Sequence, residues 1–375
     1  MQEITHDLRE FAVQPEAFDR FELLLTVKSF DLQAIRRRYL ASRKRSRSGS
    51  VERREPSMGG VIYLVIEDGA IQHQEILGRI VEARGIDFRR NRLAFSSENS
   101  IFIFEPESRT PSIVEHTWFS YIHTVRWNQD NSRLLLASSG VDTIMQLETP
   151  SVNLSWEWLA WDHGMNTGEN PKTGEKHILT RSEEQARVLA NQGQNVVLVE
   201  NPNENPLPTA MRAAFINSAE YDENGQVIAT LFHTGEILRV DKESNEYSQL
   251  ITGLSKPHGG MRYQHNYMVT DTAGGRVIVQ HATDIQQIYD FRNLPGKPEE
   301  IADLEWLQTS HHIQEGIVTI DSNRTGLMFF RPQERVRMFV PLNPDWAIQD
   351  LVPVPNDETD LMHQVKQWFS GSHQG

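Results

Sequence analysis

The chain contains three copies of one pattern, in which short apolar runs are separated by turn residues. The copies cover residues 123–148, 217–241 and 258–280, and each reads as strand, turn, strand, turn, strand. Repetition at a period of about 40 residues, with three short strands visible per unit, is typical of a β-propeller, whose small sheets stack around a central channel. The sequence therefore predicts an all-β fold of the β-propeller type.

The spacing of the copies predicts the number of blades. A shortened copy covers residues 85–105. The first and second full copies are separated by about twice the usual interval of roughly 40 residues. The surplus, at about 160–208, is polar and rich in Gly, Asn and Pro, and we interpret it as a long loop excursion over one face. We predict six blades, with seven as the alternative if this segment conceals another sheet.

The two ends of the chain differ from the repeats. Apolar residues at helical spacing between Phe18 and Ile35 predict a short helical N-terminal extension, which with a basic linker covers residues 1–57. Residues 346–355 resemble one more inner strand, which would complete the blade begun by residues 60–76 and so remove an exposed sheet edge. We therefore place the propeller at residues 58–355 and a C-terminal tail with a short helix at residues 356–375.

The charge of the chain is unevenly distributed. The net charge is −14, yet residues 36–54 contain nine Arg or Lys and one acid, which leaves 28 basic and 50 acidic residues elsewhere. An acidic body repels phosphate backbones, which argues against nucleic acid as a ligand of the propeller. The basic segment is either a solvated tether or an arm that docks an acidic partner.

The composition also limits the compartment and the chemistry. The chain has no Cys, which excludes disulfides, thiolate zinc sites and a Cys nucleophile. The first residues lack a basic region followed by an apolar run, and no stretch approaches 18 apolar residues. We expect a cytoplasmic protein without a membrane span.

Candidate site residues lie where the inner strands of successive blades begin, because these positions converge on the central channel. His123 and His258 occupy this position in two copies of the repeat, and Asn217 occupies it in the third. Further polar residues are expected on the same axis, at Asp87, within 308–312, and at Gln349 or Asp350. Imidazoles that converge at a channel mouth suit a metal site or general acid–base catalysis. The alternative is that these residues form hydrogen bonds to channel water without any function.

Three other signals supplement this group. His233 precedes a turn Gly and, with His123 and His258, could ligate one divalent metal ion. Trp161 and His163 stand at the entrance of the excursion, where they could form an aromatic wall and a polar contact for a planar substrate. Arg212 is a candidate clamp for an anionic group, because a guanidinium matches sulfate, phosphate or carboxylate in bidentate fashion. The sequence contains no His-Glu-x-x-His, P-loop, Gly-x-Ser-x-Gly or dinucleotide motif.

Several of these segments resemble the arylsulfotransferase-type propellers. The resemblance covers roughly residues 85–290. The chain is also similar in part to the wider group of Pro-His-Gly propellers. The segments that carry the resemblance are residues 123–125, 138–142, 154–158, 161–164, 216–222 and 253–259. The resemblance implies a channel histidine, His123 or His258, that accepts a sulfuryl group transiently. It also implies that Arg212 holds the sulfate.

Three interpretations of function follow. The first is a small-molecule enzyme with its site at the channel mouth, acting on an anionic or aromatic substrate by arylsulfotransferase-like transfer through a histidine. The second is a metal-dependent lyase, hydrolase or oxidoreductase with a His-ligated divalent ion on the axis. The third is a propeller that binds a ligand or serves as a scaffold without catalysis.

Overall fold

Strands make up 48% of the chain in the computed structural model, which describes residues 2–42, 49–52, 55–106, 108, 110–281, 285–355 and 360–371. The first strands are β1 (Gln2–Asp7), β2 (Ala12–Val13), β3 (Phe21–Ser29), β4 (Met58–Glu67), β5 (Ala70–Val81), β6 (Ile86–Arg89), β7 (Arg92–Ser96), β8 (Ser100–Phe104) and β9 (Ser112–Glu115). The next are β10 (Ile122–Trp127), β11 (Arg133–Ser138), β12 (Thr143–Glu148), β13 (Asn153–Leu159), β14 (Thr167–Glu169), β15 (Lys176–Thr180), β16 (Val196–Leu198), β17 (Ile216–Tyr221), β18 (Val227–Leu231), β19 (Glu236–Val240) and β20 (Tyr247–Ile251). The last are β21 (His258–Tyr263), β22 (Asn266–Asp271), β23 (Arg276–Gln280), β24 (Ile285–Asp290), β25 (Leu307–Ile313), β26 (Gly316–Asp321), β27 (Gly326–Arg331), β28 (Val336–Pro341) and β29 (Ala347–Val354). The α-helices are α1 (Leu32–Ser42), α2 (Glu183–Asn191) and α3 (Asp360–Gly371).

Within the described residues the strands form six sheets of four or five strands and one sheet of three. Sheet 1 has the order β29-β3-β4-β5, sheet 2 is β6–β9, sheet 3 is β10–β13 and sheet 4 is β17–β20. Sheet 5 is β21–β24 with β1 added in parallel to β24, and sheet 6 is β25–β28 with β2 added in parallel to β28. The three-stranded sheet is β14-β15-β16.

The six larger sheets are arranged in a ring. Their innermost strands contact one another in the closed order β29, β6, β10, β17, β21, β25 and back to β29. A separate apolar cluster lies between each pair of neighbouring sheets, so the hydrophobic core is divided into thin layers. The predicted β-propeller class is confirmed.

Strand β3 shows how the sequence produces these layers. Leu23 and Leu25 pack into the cluster shared with sheet 6, whereas Leu24 packs into the cluster shared with sheet 2. Successive side chains of a strand point to opposite faces, so a strand with both faces buried carries apolar residues at consecutive positions, as at residues 23–25. The helix predicted from the spacing of apolar residues in this region is therefore wrong for Phe21–Ser29, which is a strand of sheet 1.

The N-terminal segment contributes to the propeller rather than preceding it. β29 pairs with β3, and β3 pairs with β4, so sheet 1 combines both ends of the chain and residue 57 does not mark a boundary between the sheets and an extension. The helix predicted before the basic run is α1 alone. Of the basic segment 36–54, residues 43–48, 53 and 54 lie outside the described part of the chain.

The remaining elements decorate the ring. The excursion at about 160–208 contains the three-stranded sheet and α2. Helix α3 packs against β5, where Phe369 comes so close to Gly78 that any side chain there would overlap its ring. None of the helices in the described part of the chain is long and apolar enough to cross a membrane.

Candidate ligand-binding cavity

A cavity of about 330 Å³ lies at the end of the ring where the inner strands begin. Five cationic and five aromatic residues line it together with His123 and His258, and none of its described lining residues is Asp or Glu. The cationic and aromatic residues are Lys28, Arg38, Arg84, Arg212, Lys256, Tyr39, Tyr121, Phe215, Phe232 and Trp306.

The chain brings these residues together because most of them immediately precede an inner strand. Arg84, Tyr121, Arg212, Lys256 and Trp306 stand one to four residues before β6, β10, β17, β21 and β25, respectively. Each loop therefore contributes to the cavity from a different sheet.

Three cavity residues adopt a left-handed backbone conformation. The φ angles are 50° for Tyr121, 53° for Phe215 and 57° for Lys256. This conformation costs about 1–2 kcal/mol for a residue with a Cβ and persists only where the surroundings impose it. All three side chains line the cavity. Backbone strain of this kind is common at ligand-binding and active sites.

Helix α1 covers part of the cavity. Tyr39 stacks on Trp306 with ring centroids 5.0 Å apart, and Arg38 also lines the cavity. On the buried side of the helix, Arg36 donates to the carbonyl oxygens of Ser322 and Asn323 at 3.0 and 2.9 Å. The described start of the basic segment is therefore bound to the propeller body.

His123 and His258 lie against each other, with ring centroids 5.9 Å apart and less than a tenth of each residue exposed. Burial lowers the pKa of His258 to about 3, with a further contribution from Lys28. Burial likewise lowers the pKa of His123 well below its usual value, and Arg84 and His258 add to the effect. Both imidazoles are therefore neutral at physiological pH.

The tautomer of His123 follows from two hydrogen bonds. Lys28 Nζ donates to Gln349 Oε1 at 2.9 Å, which turns the amide nitrogen of Gln349 toward His123 Nε2 at 3.2 Å. Because that nitrogen can only donate, His123 Nε2 accepts and the proton resides on Nδ1. Nδ1 is buried and finds no acceptor among the described residues.

His258 is held by a different partner. Its Nδ1 lies 2.8 Å from Thr272 Oγ1. A hydroxyl can donate or accept, so this contact orients the ring without fixing its tautomer.

Two guanidinium groups approach the ring of Tyr121. The Arg212 guanidinium is 4.6 Å from the Tyr121 centroid and 4.9 Å from that of Phe215, and the Arg84 guanidinium is 5.3 Å from Tyr121. Arg212 also donates to the Leu207 carbonyl at 3.3 Å, and Arg84 pairs with Glu82 at 2.7 Å. These contacts fix both cations at the cavity.

Asp142 positions the loop that follows Arg212. Its carboxylate accepts hydrogen bonds from the main-chain N–H groups of residues 213–216, at 2.6 to 3.3 Å, and from Trp161 Nε1 at 3.1 Å. Asp142 lies in the turn between β11 and β12, directly before β12, and it was not identified from the sequence as a site residue. Asp271, the last residue of β22, also accepts a main-chain hydrogen bond, from the Ser255 N–H at 2.6 Å, but it stands at a different position of its repeat.

Of the predicted site residues, the structure brings His123, His258 and Arg212 to one cavity. Asn217 and His233 lie beside it without lining it: Asn217 Nδ2 donates to the Pro257 carbonyl at 2.8 Å, and His233 Nδ1 lies 3.2 Å from the Arg212 carbonyl.

The aromatic wall predicted at the excursion does not form part of the cavity. Trp161 is buried in an apolar cluster beneath the excursion, and His163 stacks on Trp158 at 4.8 Å. Neither residue lines the cavity, and substrate binding by Trp161 and His163 stays a prediction.

The predicted metal ligands do not form a metal centre. His123, His233 and His258 are not gathered as ligands, and no group of three His, Cys, Asp or Glu suited to a metal ion occurs in the described part of the chain. Arg84 and Lys28 make the surroundings of His123 cationic, which disfavours a divalent ion.

A second charged group lies deeper along the inner strands. Arg126 donates to Asp350 at 2.9 Å and to Glu220 at 2.9 Å, and His311 Nε2 lies 3.1 Å from Asp350. Burial alone would raise the pKa of Asp350, but Arg126 and His311 together hold it below its usual value. The charges of this group pair with one another, and the pairs connect four inner strands, β10, β17, β25 and β29.

The chain shares its fold with two solved structures that superimpose on it with TM-scores above 0.5. No family model matches the chain, and no curated protein matches it. A chain of the nidogen/laminin complex superimposes with a TM-score of 0.54 at 8% identity, over 88% of this chain and 97% of that one. A protein of unknown function from Bacteroides caccae gives a TM-score of 0.51 at 10% identity, over 90% of this chain and all of that one (100%). Virginiamycin B lyase from Staphylococcus aureus gives 0.40 at 10% identity, over 70% of this chain and 84% of that one.

Proposed function

We propose that this propeller binds a small organic anion with a planar or apolar part in the cavity at the channel mouth. The observation that carries the proposal is the lining itself, which combines five cations, two neutral histidines and five aromatic rings and includes no described carboxylate. Charge of one sign in a concave site attracts the opposite charge.

The chemistry of the lining favours an oxyanion. Arg84 and Arg212 can each present a planar fork to sulfate, phosphate or carboxylate, and His123 Nδ1 supplies a further donor. The cavity volume is at the lower end of the range for small-molecule sites, which fits a single-ring ligand.

A binding experiment tests this proposal. Isothermal titration with 4-nitrophenyl sulfate and 4-nitrophenyl phosphate is expected to show saturable binding, weakened about tenfold or more in Arg212→Gln because a charged hydrogen-bond donor is lost. Lys366→Gln, on an exposed face of α3, is the matched control and is expected to bind as the wild type does. Equal affinity of Arg212→Gln and the wild type, or no binding of either anion, would refute the proposal.

A second candidate is group transfer through His258. The observation that favours it is a buried imidazole, neutral at physiological pH, in a cavity with two guanidinium groups. In the tautomer of His258 with its proton on Nδ1, Nε2 holds the lone pair and forms a bond to the sulfur or phosphorus of an aryl ester. The bond from that atom to the phenol oxygen breaks, and phenolate leaves with the electron pair. An acceptor hydroxyl then takes the group, loses its proton to solvent and regenerates the imidazole.

Transfer and binding are separable by one substitution. If His258 is the nucleophile, His258→Gln abolishes release of nitrophenolate in the presence of a phenol acceptor while binding of the ester persists. Release at the wild-type rate from His258→Gln would exclude this residue as nucleophile and leave the binding proposal intact.

A further inference from the structure

The lining of the cavity divides into two halves that follow the order of the sheets. Arg84, Tyr121 and Arg212 precede the inner strands of sheets 2, 3 and 4, which are consecutive in the ring. Lys256 and Trp306 precede those of sheets 5 and 6, and Lys28 lies on β3 of sheet 1. Each half therefore has an aromatic residue on its middle sheet and a cation on each flanking sheet.

The first half, the arginine half, is Arg84, Tyr121 and Arg212. Both guanidinium groups lie over the Tyr121 ring, at 5.3 and 4.6 Å from its centroid. Tyr121 holds a left-handed backbone with φ 50°, and Asp142 fixes the loop directly after Arg212. Besides the bonds of Arg84 to Glu82 and of Arg212 to the Leu207 carbonyl, each guanidinium can donate to a tetrahedral or planar oxyanion, because it has five N–H donors.

The second half, the lysine half, is Lys28, Trp306 and Lys256, with Tyr39 from α1. Lys28 Nζ lies 5.9 Å from the Trp306 centroid, and Lys256 Nζ lies 5.4 Å from the Tyr39 centroid. Tyr39 stacks on Trp306 at 5.0 Å, so the two rings bridge the two ammonium groups. An ammonium group acts as a point charge and binds an oxyanion without demanding a fixed geometry.

The space between the halves carries no charge. His123 and His258 are neutral, and Phe215 and Phe232 pack on them with ring centroids 5.8 and 5.4 Å apart. Two cationic regions on opposite sides of an apolar, aromatic middle correspond to a molecule with negative charge at both ends.

We infer that the ligand of this cavity is a bis-anion, with one oxyanion in the arginine half, a second in the lysine half and an aromatic or apolar centre against His123, His258 and the two phenylalanines. This inference rests on the proposed function, since it specifies the ligand of the same cavity. A ligand with one anionic group places an anion in only one half of the cavity.

Matched diacids and monoesters test the inference by isothermal titration. Terephthalate and biphenyl-4,4′-dicarboxylate provide two separations of the anionic groups, and the monomethyl ester of each keeps the skeleton while removing one charge. In the wild type, at least one diacid is expected to bind about tenfold more tightly than its monoester, because a second charged contact is made. The double variant Lys28→Gln/Lys256→Gln is expected to abolish this preference, with the diacid falling to the affinity of the monoester.

The controls separate the inference from the proposed function. Arg212→Gln weakens diacid and monoester alike, and Lys366→Gln changes neither; thermal unfolding of each variant verifies that it is folded. If every diacid and its monoester bind equally tightly to the wild type while Arg212→Gln weakens both, the two-ended site is wrong and the anion cavity stands. If no member of the series binds, both are wrong. If the diacid preference survives in the lysine double variant, the second anion is bound elsewhere and the lysine half has no part in it.

Discussion

Asp142 accepts a hydrogen bond from the main-chain N–H of Phe215 at 2.6 Å, across the boundary between sheet 3 and sheet 4. The same carboxylate accepts from three neighbouring N–H groups, so the loop between Arg212 and β17 is anchored by a side chain of the preceding sheet. The position of the Arg212 guanidinium therefore depends on a residue that does not line the cavity.

Replacing Asp142 by Asn tests this dependence. The amide keeps the size and tolerates the left-handed backbone of Asp142, but one of its two acceptor atoms becomes a donor that faces buried N–H groups. We expect the free energy of unfolding to fall by about 3 kcal/mol in urea titrations, the scale for charged hydrogen bonds lost in a buried network. Asp162→Asn, an exposed carboxylate paired with Arg181 at 3.3 Å, is the control and is expected to change it by less than about 0.5 kcal/mol. A folded Asp142→Asn with wild-type stability would show that the loop is held by other contacts.

The stability of the protein is expected to fall as the pH falls below about 6.5, the ordinary pKa of histidine. The pKa of His258 is lowered to about 3 in the folded protein, so between these values the unfolded chain binds a proton that the folded protein does not. The contribution of His258 is therefore fully present above about pH 6.5 and is lost toward pH 3, by about 1.4 kcal/mol per pH unit.

Urea unfolding at pH 7 and pH 5 measures this effect. The loss of stability between the two values is expected to be about 2 kcal/mol smaller in His258→Gln than in the wild type, because the variant lacks this titrating group. Parallel losses in the two proteins would mean that His258 has a similar pKa in the folded and unfolded states.

Gln349 is expected to determine which nitrogen of His123 carries the proton. In the wild type, ¹⁵N spectra of histidine-labelled protein should show His123 protonated at Nδ1 alone at pH 7, with the resonance assigned by its loss in His123→Gln. Gln349→Glu replaces the donor by an acceptor 3.2 Å from Nε2, so His123 must then donate from Nε2. An Nε2–H tautomer already present in the wild type would contradict the chain of hydrogen bonds in which Lys28 donates to Gln349 and Gln349 donates to His123.

The first 57 residues are expected to be required for folding. Their removal deletes β3, which pairs with β29 on one side and β4 on the other. Leu25 on β3 is fully buried, and Leu25→Ser is expected to lower the free energy of unfolding by roughly 3–4 kcal/mol through a cavity and a buried hydroxyl. Val13 on β2 is 61% exposed, and Val13→Ser is expected to cost less than about 0.5 kcal/mol. Soluble, cooperatively folding protein from residues 58–375 would show that sheet 1 closes without β3.

The sequence was sufficient to predict the fold class, because the repeat requires neighbouring sheets to bury each other's faces. The ring also explains why His123 and His258 could be placed together, since the same position in two repeats reaches the same channel. Phe21–Ser29 was misread because a strand buried on both faces carries no alternation, and its leucines also satisfy a helical spacing.

The cationic residues of the cavity were mostly missed for another reason. Lys28, Arg84 and Lys256 belong to segments that share no motif, and they meet only because β3 and the loops before the other inner strands reach one end of the ring. Arg212 was found as a single Arg upstream of an inner strand, but its aromatic contacts depend on Tyr121 from another sheet. Such convergence depends on the ring closure and cannot be read from local spacing.

The pairing of β3 with β29 also affects when each part of the chain finds its partner during synthesis. At about 5–20 residues per second, a ribosome produces β29 roughly 15 s to a minute after β3. β1 and β2 likewise wait for β24 and β28. Throughout that interval β3, apolar on both faces, lacks its inner neighbour, and an unpaired apolar strand is the kind of segment that seeds aggregation. The last strand of the ring to be made is thus the one that covers β3, and delays late in translation are expected to be the most damaging to the yield of folded protein.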